Sequence, residues 1–234
     1  MPTRHALVTG ANRGLGLEFV RQLLARGDHV VATCRHPGRA HALNQLAGEH
    51  PGRLHVLPLD VADPRAIAEL VRELPLLDPG LRLSLLLNSA GVLHSGERFG
   101  SVTAANLEDS FRTNAMGPFL LAQALAPALV DGARIANITS ELGSIAGLAR
   151  FGTPSYNISK AAQNMATALL AKALATRGII VLALHPGWVQ TDMGGSDATL
   201  TPTQSAQGLL QVIDGATLQS SGRFFDWRGE TMEW

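Results

Sequence analysis

The stretch His5–Gly16 reads HALVTGANRGLG, an apolar run that stops at Val8 and is followed by glycines at positions 10, 14 and 16. Glycine lets the backbone turn sharply and approach a ligand that any side chain would hold away. A helix opening directly after such a loop offers free N–H groups and the positive end of its dipole, which suits a pyrophosphate. Tight turns alone also use glycines, so position matters more than count. This loop follows the first apolar strand and opens the first helical pattern, the arrangement of a dinucleotide-binding βαβ unit.

The rest of the chain continues the alternation. In LGLEFVRQLLARG, Leu15, Phe19, Val20, Leu23 and Leu24 recur at the helical interval, and Gly27 ends the helix. HVVATCR is a second apolar strand, a helix follows around GRAHALNQLAG, and RLHVLPLD is a third strand. Asp63 and Pro64 read as the N-cap and first residue of the next helix. LRLSLLLNSAG, apolar through its centre, fits a parallel strand covered on both faces. One long helix is expected through LEDSFRTNAMGPFLLAQALAPALV, then the strand ARIANITS and a helix over PSYNISKAAQNMATALLAKALAT. The strand IIVLALHPG, a helix started by Thr201 and Pro202, and a last strand in GRFFDW complete the chain.

This pattern predicts an α/β fold, a single doubly wound parallel sheet of Rossmann type with helices on both faces. No linker or shift of composition interrupts residues 1–234, so one domain is expected. Residues 192–204, poor in hydrophobic side chains, are the stretch most suited to a lid.

Composition narrows the function classes. Nineteen basic residues balance nineteen acidic ones, so no domain-wide basic field speaks for nucleic acid or an anionic membrane surface. A single cysteine, Cys34, rules out an intrachain disulfide and fits a reducing compartment. No charged-then-apolar leader opens the sequence, and every apolar stretch is broken before membrane-spanning length. A cytoplasmic location is therefore expected. The eight histidines show no ligand spacing, and no metal site is expected.

Two further features carry chemistry. The second strand ends in Thr33, Cys34 and Arg35, without the acid that would hold the ribose of NAD. Arg35, joined by Arg13 of the glycine loop, instead offers guanidinium groups to a 2′-phosphate, which favours NADP(H); two solvated surface arginines are the plainer alternative. Tyr156 and Lys160 lie four apart on a predicted helix and share a face. Tyr156 is the only tyrosine, and Lys160 is one of two lysines beside seventeen arginines. An ammonium next to a phenol favours the phenolate, the tuning that acid–base catalysis near neutral pH needs, though an ordinary amphipathic helix could carry the same pair.

Taken together, TGANRGLG, LLNSAG, RTNAMGPF, ITS at a strand end, YNISK and HPGWVQTDM occur in the order of the short-chain dehydrogenases/reductases, and the chain resembles that family from about Leu7 to Thr191. GRFFDW and the short tail resemble its compact subgroup of sniffer-type carbonyl reductases and bacterial C-factor proteins. The resemblance implies that Gly10, Gly14 and Gly16 form the pyrophosphate turn, lined by Asn12, Arg13 and Leu15. Asp60, with Val61 beside it, would meet the adenine. Asn88, Ala90 and Gly91 would back the cofactor, and Pro186, Gly187, Val189 and Thr191 would hold its nicotinamide side.

It further implies a mechanism. Tyr156 would donate a proton to a carbonyl oxygen that Ser140 hydrogen-bonds, and Lys160 would bind the nicotinamide ribose and lower the tyrosine pKa. Asn114 would help hold a water that relays protons to the lysine. The substrate would be a small carbonyl compound or alcohol, and the family's habit implies a homodimer or homotetramer packed through the helices around Asn114 and Tyr156.

Two departures stand out. The usual NNAG is NSAG, with Ser89 in place of the second asparagine. The interval from Ser140 to Tyr156 is longer than is common, which leaves Ser144 as a rival to Ser140; Ser140 is preferred because it directly follows the strand. Cys34 reads as core packing, His94 and His185 as structural or rim residues, and Trp188 as either pocket wall or packing. The C-factor resemblance also permits a cofactor-binding signalling protein with little turnover.

Overall fold

The computed structural model describes residues 4–234. Seven strands form one parallel sheet in the order β3-β2-β1-β4-β5-β6-β7. They are β1 (His5–Thr9), β2 (His29–Cys34), β3 (Leu54–Pro58), β4 (Leu83–Asn88), β5 (Leu129–Ile138), β6 (Ile180–His185) and β7 (Phe224–Asp226). The helices are α1 (Gly14–Ala25), α2 (His41–Glu49), α3 (Pro64–Leu77), α4 (Ala104–Phe111), α5 (Gly117–Leu125), α6 (Pro154–Ala173) and α7 (Pro202–Gly215). The expected doubly wound α/β architecture is present.

Side-chain alternation along the strands splits the core in two. Ala6 and Val8 of β1 face a layer built on α1, α2 and α7, where Phe19, Leu23, Leu43 and Leu209 are fully buried. Leu7, between them, faces the other layer with Leu70 of α3 and Leu121 and Leu125 of α5. The sheet is covered on both sides, which is why its central strands read as unbroken apolar runs.

Asp63 caps α3 by accepting from the Arg65 N–H at 2.8 Å, and Thr201 caps α7. Two elements depart from the sequence reading. β5 begins at Leu129 rather than near Ala133, because its register against β4 slips between Leu83 and Leu85 and Gly132, at φ 76°, takes up the irregularity. The single long helix expected after β4 is two helices, α4 and α5, joined by a π-helical turn over Arg112–Met116. Pro118 contributes to that break, since it has no N–H for the carbonyl of Asn114 four residues earlier.

The order reverses direction between β1 and β4, and the carboxyl ends of these two strands frame a crevice of the kind where open α/β sheets bind ligands.

Candidate active site

The crevice is a cleft of about 800 Å³. Its inner edge is the glycine loop. An added Cβ on Gly10 would lie 2.8 Å from the Ala90 backbone, and one on Gly16 would collide with the Gly10 carbonyl. Only bare backbone lets the loop pack this tightly against the end of β4. The Thr9 hydroxyl completes the join, accepting from the Ser89 and Ala90 N–H groups at 3.1 Å each. Because the backbone of residue 89 makes these bonds, serine in place of the family's asparagine leaves them intact.

The amino end of α1 has neither a side-chain cap nor an acidic residue in its first turn. Its free N–H groups and dipole face the cleft with no competing carboxylate of their own, and these residues fit a pyrophosphate. Arg35 lines the cleft with His36 and Arg39, a basic group at the end of β2. Asp60 and Val61 line it from the loop after β3, and Gly187, Val189 and Thr191 from the segment after β6.

Ser140, Tyr156 and Lys160 line the same cleft and lie together, the phenol beside the Ser140 hydroxyl and the Lys160 ammonium close to its ring. Ser140 ends the β5 strand region, where its hydroxyl accepts from the Leu142 N–H at 3.1 Å and starts the turn Glu141–Gly143. Gly143 lets that turn rest on α6, because a Cβ there would come within 2.8 Å of the Lys160 backbone. The Asn164 amide reinforces the contact by donating to the Gly143 carbonyl at 3.2 Å. His185 secures the same turn from β6, its Nδ1 accepting from the Glu141 N–H at 3.1 Å, and burial lowers its pKa. It is a structural histidine. His94 pairs with Asp109 at 2.9 Å on the rim.

Lys160 is buried, and its Nζ donates to the Ile138 carbonyl at 2.7 Å and to Gln163 Oε1 at 2.9 Å. It lies 5.5 Å from the centre of the Tyr156 ring. Burial pushes the Lys160 ammonium down to about 7. Burial pushes Tyr156 up to about 12, against the opposing pull of the Ser140 hydroxyl. With these groups alone the phenol keeps its proton at neutral pH, so the arrangement is that of an acid with a hydroxyl neighbour and a lysine close to its midpoint.

Of the residues that the family resemblance assigns to catalysis or cofactor binding, all but two line the cleft. Asn88 lies behind it, fully buried, and its amide donates to Asn137 at 2.8 Å to join β4 to β5. Asn114 lies in the π-helical turn, where its side chain makes three hydrogen bonds. It accepts from the Val92 N–H at 2.8 Å and donates to the Val92 carbonyl and to Ser159 Oγ, each at 2.9 Å. It thus ties the loop after β4 to α6. Both amide hydrogens are spent in these bonds, while the side-chain oxygen, with one bond made, keeps a second lone pair.

Ser144 is spent capping its own turn, accepting from the Gly147 N–H at 3.0 Å, and does not line the cleft. Trp188 is half exposed at the cleft wall and donates to the Gly194 carbonyl at 2.8 Å. Cys34 is buried and its thiol pKa is raised by burial, as a packing residue's would be. Residues 192–204 are stitched back by the Gln190 and Leu200 N–H groups, which donate to Leu200 and Trp188 carbonyls at 2.8 and 3.0 Å. Among the described residues no helix is long and apolar enough to cross a membrane, and no three metal-ligating side chains come together.

Comparison with known proteins gives consistent results. Residues 4–200 match the family model described as short chain dehydrogenase. The chain is 44 % identical over 154 residues to C-signal of Myxococcus xanthus, covering 65 % of this chain and 93 % of that one. The structure of NADPH-bound carbonyl reductase from chicken fatty liver superposes with a TM-score of 0.93 at 38 % identity, over the whole of both chains. Carbonyl reductase Sniffer of D. melanogaster superposes with a TM-score of 0.94 at 34 % identity, over 99 % of this chain and all of that one.

Proposed function

Since the chain belongs to the short chain dehydrogenase family, we propose that it is an NADP(H)-dependent carbonyl reductase using Ser140, Tyr156 and Lys160. The carrying observation is the convergence of these three side chains in the cleft that the glycine loop also lines. The uncapped amino end of α1, the close glycine packing and the basic Arg35, His36 and Arg39 fit a dinucleotide with a 2′-phosphate. The NADPH in the chicken enzyme supports the same choice.

The bound cofactor supplies the hydride. Tyr156, protonated at neutral pH, donates its phenolic proton to the oxygen of the substrate carbonyl as charge develops there. Ser140 donates a hydrogen bond to the same oxygen and holds it near the phenol. Lys160 binds the nicotinamide ribose and, when protonated, favours the phenolate that is left. Asn114 braces α6 through Ser159 and helps hold a water that relays protons to Lys160.

Leu93, Leu142, Trp188 and Met193 make the outer wall apolar, which supports an apolar ketone, aldehyde or quinone as substrate. Phe111 of α4 with Ile158, Met165 and Leu169 of α6 form an exposed apolar stripe, which supports a homodimer or homotetramer through these helices. A cytoplasmic location agrees with the single reduced cysteine.

The likeness to C-signal favours one second reading, a signalling protein that binds the cofactor and turns over little. NADPH consumption against a panel of ketones, aldehydes, quinones and dicarbonyls, with Tyr156→Phe alongside, tests both. Turnover that the variant loses while still binding NADPH supports the reductase. NADPH binding without turnover on any compound favours the signalling reading, and full turnover in Tyr156→Phe overturns the assigned mechanism.

A further inference from the structure

The buried face of α6 carries a polar residue that the reductase mechanism does not use. Gln163 lies three residues after Lys160, on the same side of the helix, and is fully buried. Burying an amide costs free energy unless its polar atoms find partners. Among the described residues its Nε2 has none. Its Oε1 has one partner, the Lys160 Nζ at 2.9 Å. An apolar side chain would suit this core position better, so the lysine contact is what the glutamine contributes.

The surroundings of Lys160 make that contribution matter. Nζ has two acceptors, the Ile138 carbonyl and Gln163 Oε1, and neither carries a charge. Tyr156 is the titratable neighbour on its own helix. From the elements packed around it, Glu141 after β5, His185 at the end of β6 and Asp60 after β3 line the same cleft, but none bonds to Lys160. On α4 and the π-helical turn, the charged groups Glu108, Asp109 and Arg112 are engaged in surface pairs, and α5 has no titratable residue. The ammonium therefore rests on two neutral oxygens.

We propose that Gln163 is a positioning residue of the active site, its side-chain carbonyl holding the Lys160 ammonium at the cleft wall. The proposal rests on the role given to Lys160 above. The same contact offsets part of the cost of burying the charge, so the identity of residue 163 sets where Lys160 titrates.

Lys160 and Lys172 are the only lysines, so protein carrying 13C at the lysine ε position gives two signals, assigned with Lys172→Arg. The titration is followed by NMR on the protein without cofactor, for wild type, Gln163→Leu and Gln163→Glu. Gln163→Leu is expected to lower the Lys160 midpoint by about half a pH unit or more, and Gln163→Glu to raise it by about one. An unmoved midpoint in both, with the fold intact, overturns the proposal, as does a Gln163→Leu that loses only thermal stability. If Gln163→Leu does not fold, the upward shift in Gln163→Glu carries the test alone. Because no turnover is measured, the result is independent of whether the protein reduces carbonyls. Where it does, the alkaline limb of the pH–kcat profile moves in the same direction in each variant.

Discussion

The guanidinium of Arg13 lies 2.9 Å from the carboxylate of Asp192 and joins the glycine loop to the first residue of the 192–204 segment. Both side chains line the cleft and are largely exposed, at 68 % and 76 %, so the pair adds only about 0–1 kcal/mol to stability. Its importance is competitive. A phosphate offered to Arg13 must displace Asp192 or share the guanidinium with it. Asp192→Asn is therefore expected to tighten NADPH binding severalfold at low salt, with a smaller gain at high salt and an almost unchanged Tm. Calorimetric titration measures this, and an unaltered Kd would remove Arg13 from the phosphate site.

On the proposed function, the 2′-phosphate meets the end of β2 and cofactor choice turns on the residues there. Arg35, His36 and Arg39 gather there beside the cleft, with the buried Cys34 at the position before them. Arg35→Asp removes a charge-assisted contact to the 2′-phosphate, worth about 1.5–3 kcal/mol, and adds an acceptor for an unphosphorylated ribose. The ratio of kcat/KM for NADPH over NADH should fall by roughly tenfold to a hundredfold on that basis. A constant ratio would leave selection to His36 and Arg39.

The buried Lys160–Tyr156 pair makes stability depend on pH in a defined sense. Burial lowers Lys160 from 10.5 to about 7 and raises Tyr156 from 10.0 to about 12. Below about pH 7 both folded and unfolded chains hold the lysine proton, and the folded state bears the whole cost of burying it. Between about 7 and 10.5 the unfolded chain holds more protons, so stability rises with pH by at most about 1.4 kcal/mol per unit. Above about 10 the folded chain retains the tyrosine proton that the unfolded one loses, and the trend reverses. Lys160→Met removes the rising limb. Denaturant unfolding of both proteins from about pH 6 to about pH 9 should show the variant's stability lead shrinking; a constant difference would mean that Lys160 titrates normally.

The residues legible in the sequence are those whose chemistry is local. Gly10, Gly14 and Gly16 announce a close backbone approach, and Tyr156 and Lys160 share a face because four residues make about one helical turn. Gln163 was equally visible as a letter, yet its meaning depends on being buried beside Lys160, which spacing alone does not say. Asn114 gave only the mild signal of an asparagine in a helix. Its actual work depends on a π-helical turn and on Val92 and Ser159, which reach it from two other segments. Asn88 shows a further limit: the motif places it at the right strand end, but strand alternation turns its side chain to the α6 face of the sheet, where it bonds Asn137, so it lies behind the cleft rather than in it.

The approach of Tyr156 to the cleft depends on how α6 begins. Its N-cap residue, Thr153, makes no side-chain cap and sits at φ 40°, a left-handed conformation that costs a residue other than glycine of order 1–3 kcal/mol. The missing cap comes from outside the helix. The Glu97 carboxylate, on the loop after β4, accepts from the Ser155 N–H at 3.1 Å and its hydroxyl at 2.7 Å, and the Asn106 amide donates to it at 3.3 Å. Burial is the largest single influence on Glu97 and raises its pKa, but these bonds and nearby His94 together outweigh it and hold the carboxyl below its ordinary value. Its contribution is thus present above the ordinary carboxylate pKa and is lost as pH falls through the lowered one. Glu97→Ala should destabilise the protein at neutral pH by about 0.5–2 kcal/mol, the range for losing a helix cap, with Glu97→Gln intermediate. The residue before Tyr156 loses its anchor in the alanine variant and keeps a weaker, uncharged acceptor in the glutamine one, so kcat should fall with the same ordering while the Kd for NADPH stays near wild type. Equal kcat in all three proteins would mean that Tyr156 is positioned by the Ser159–Asn114 brace alone.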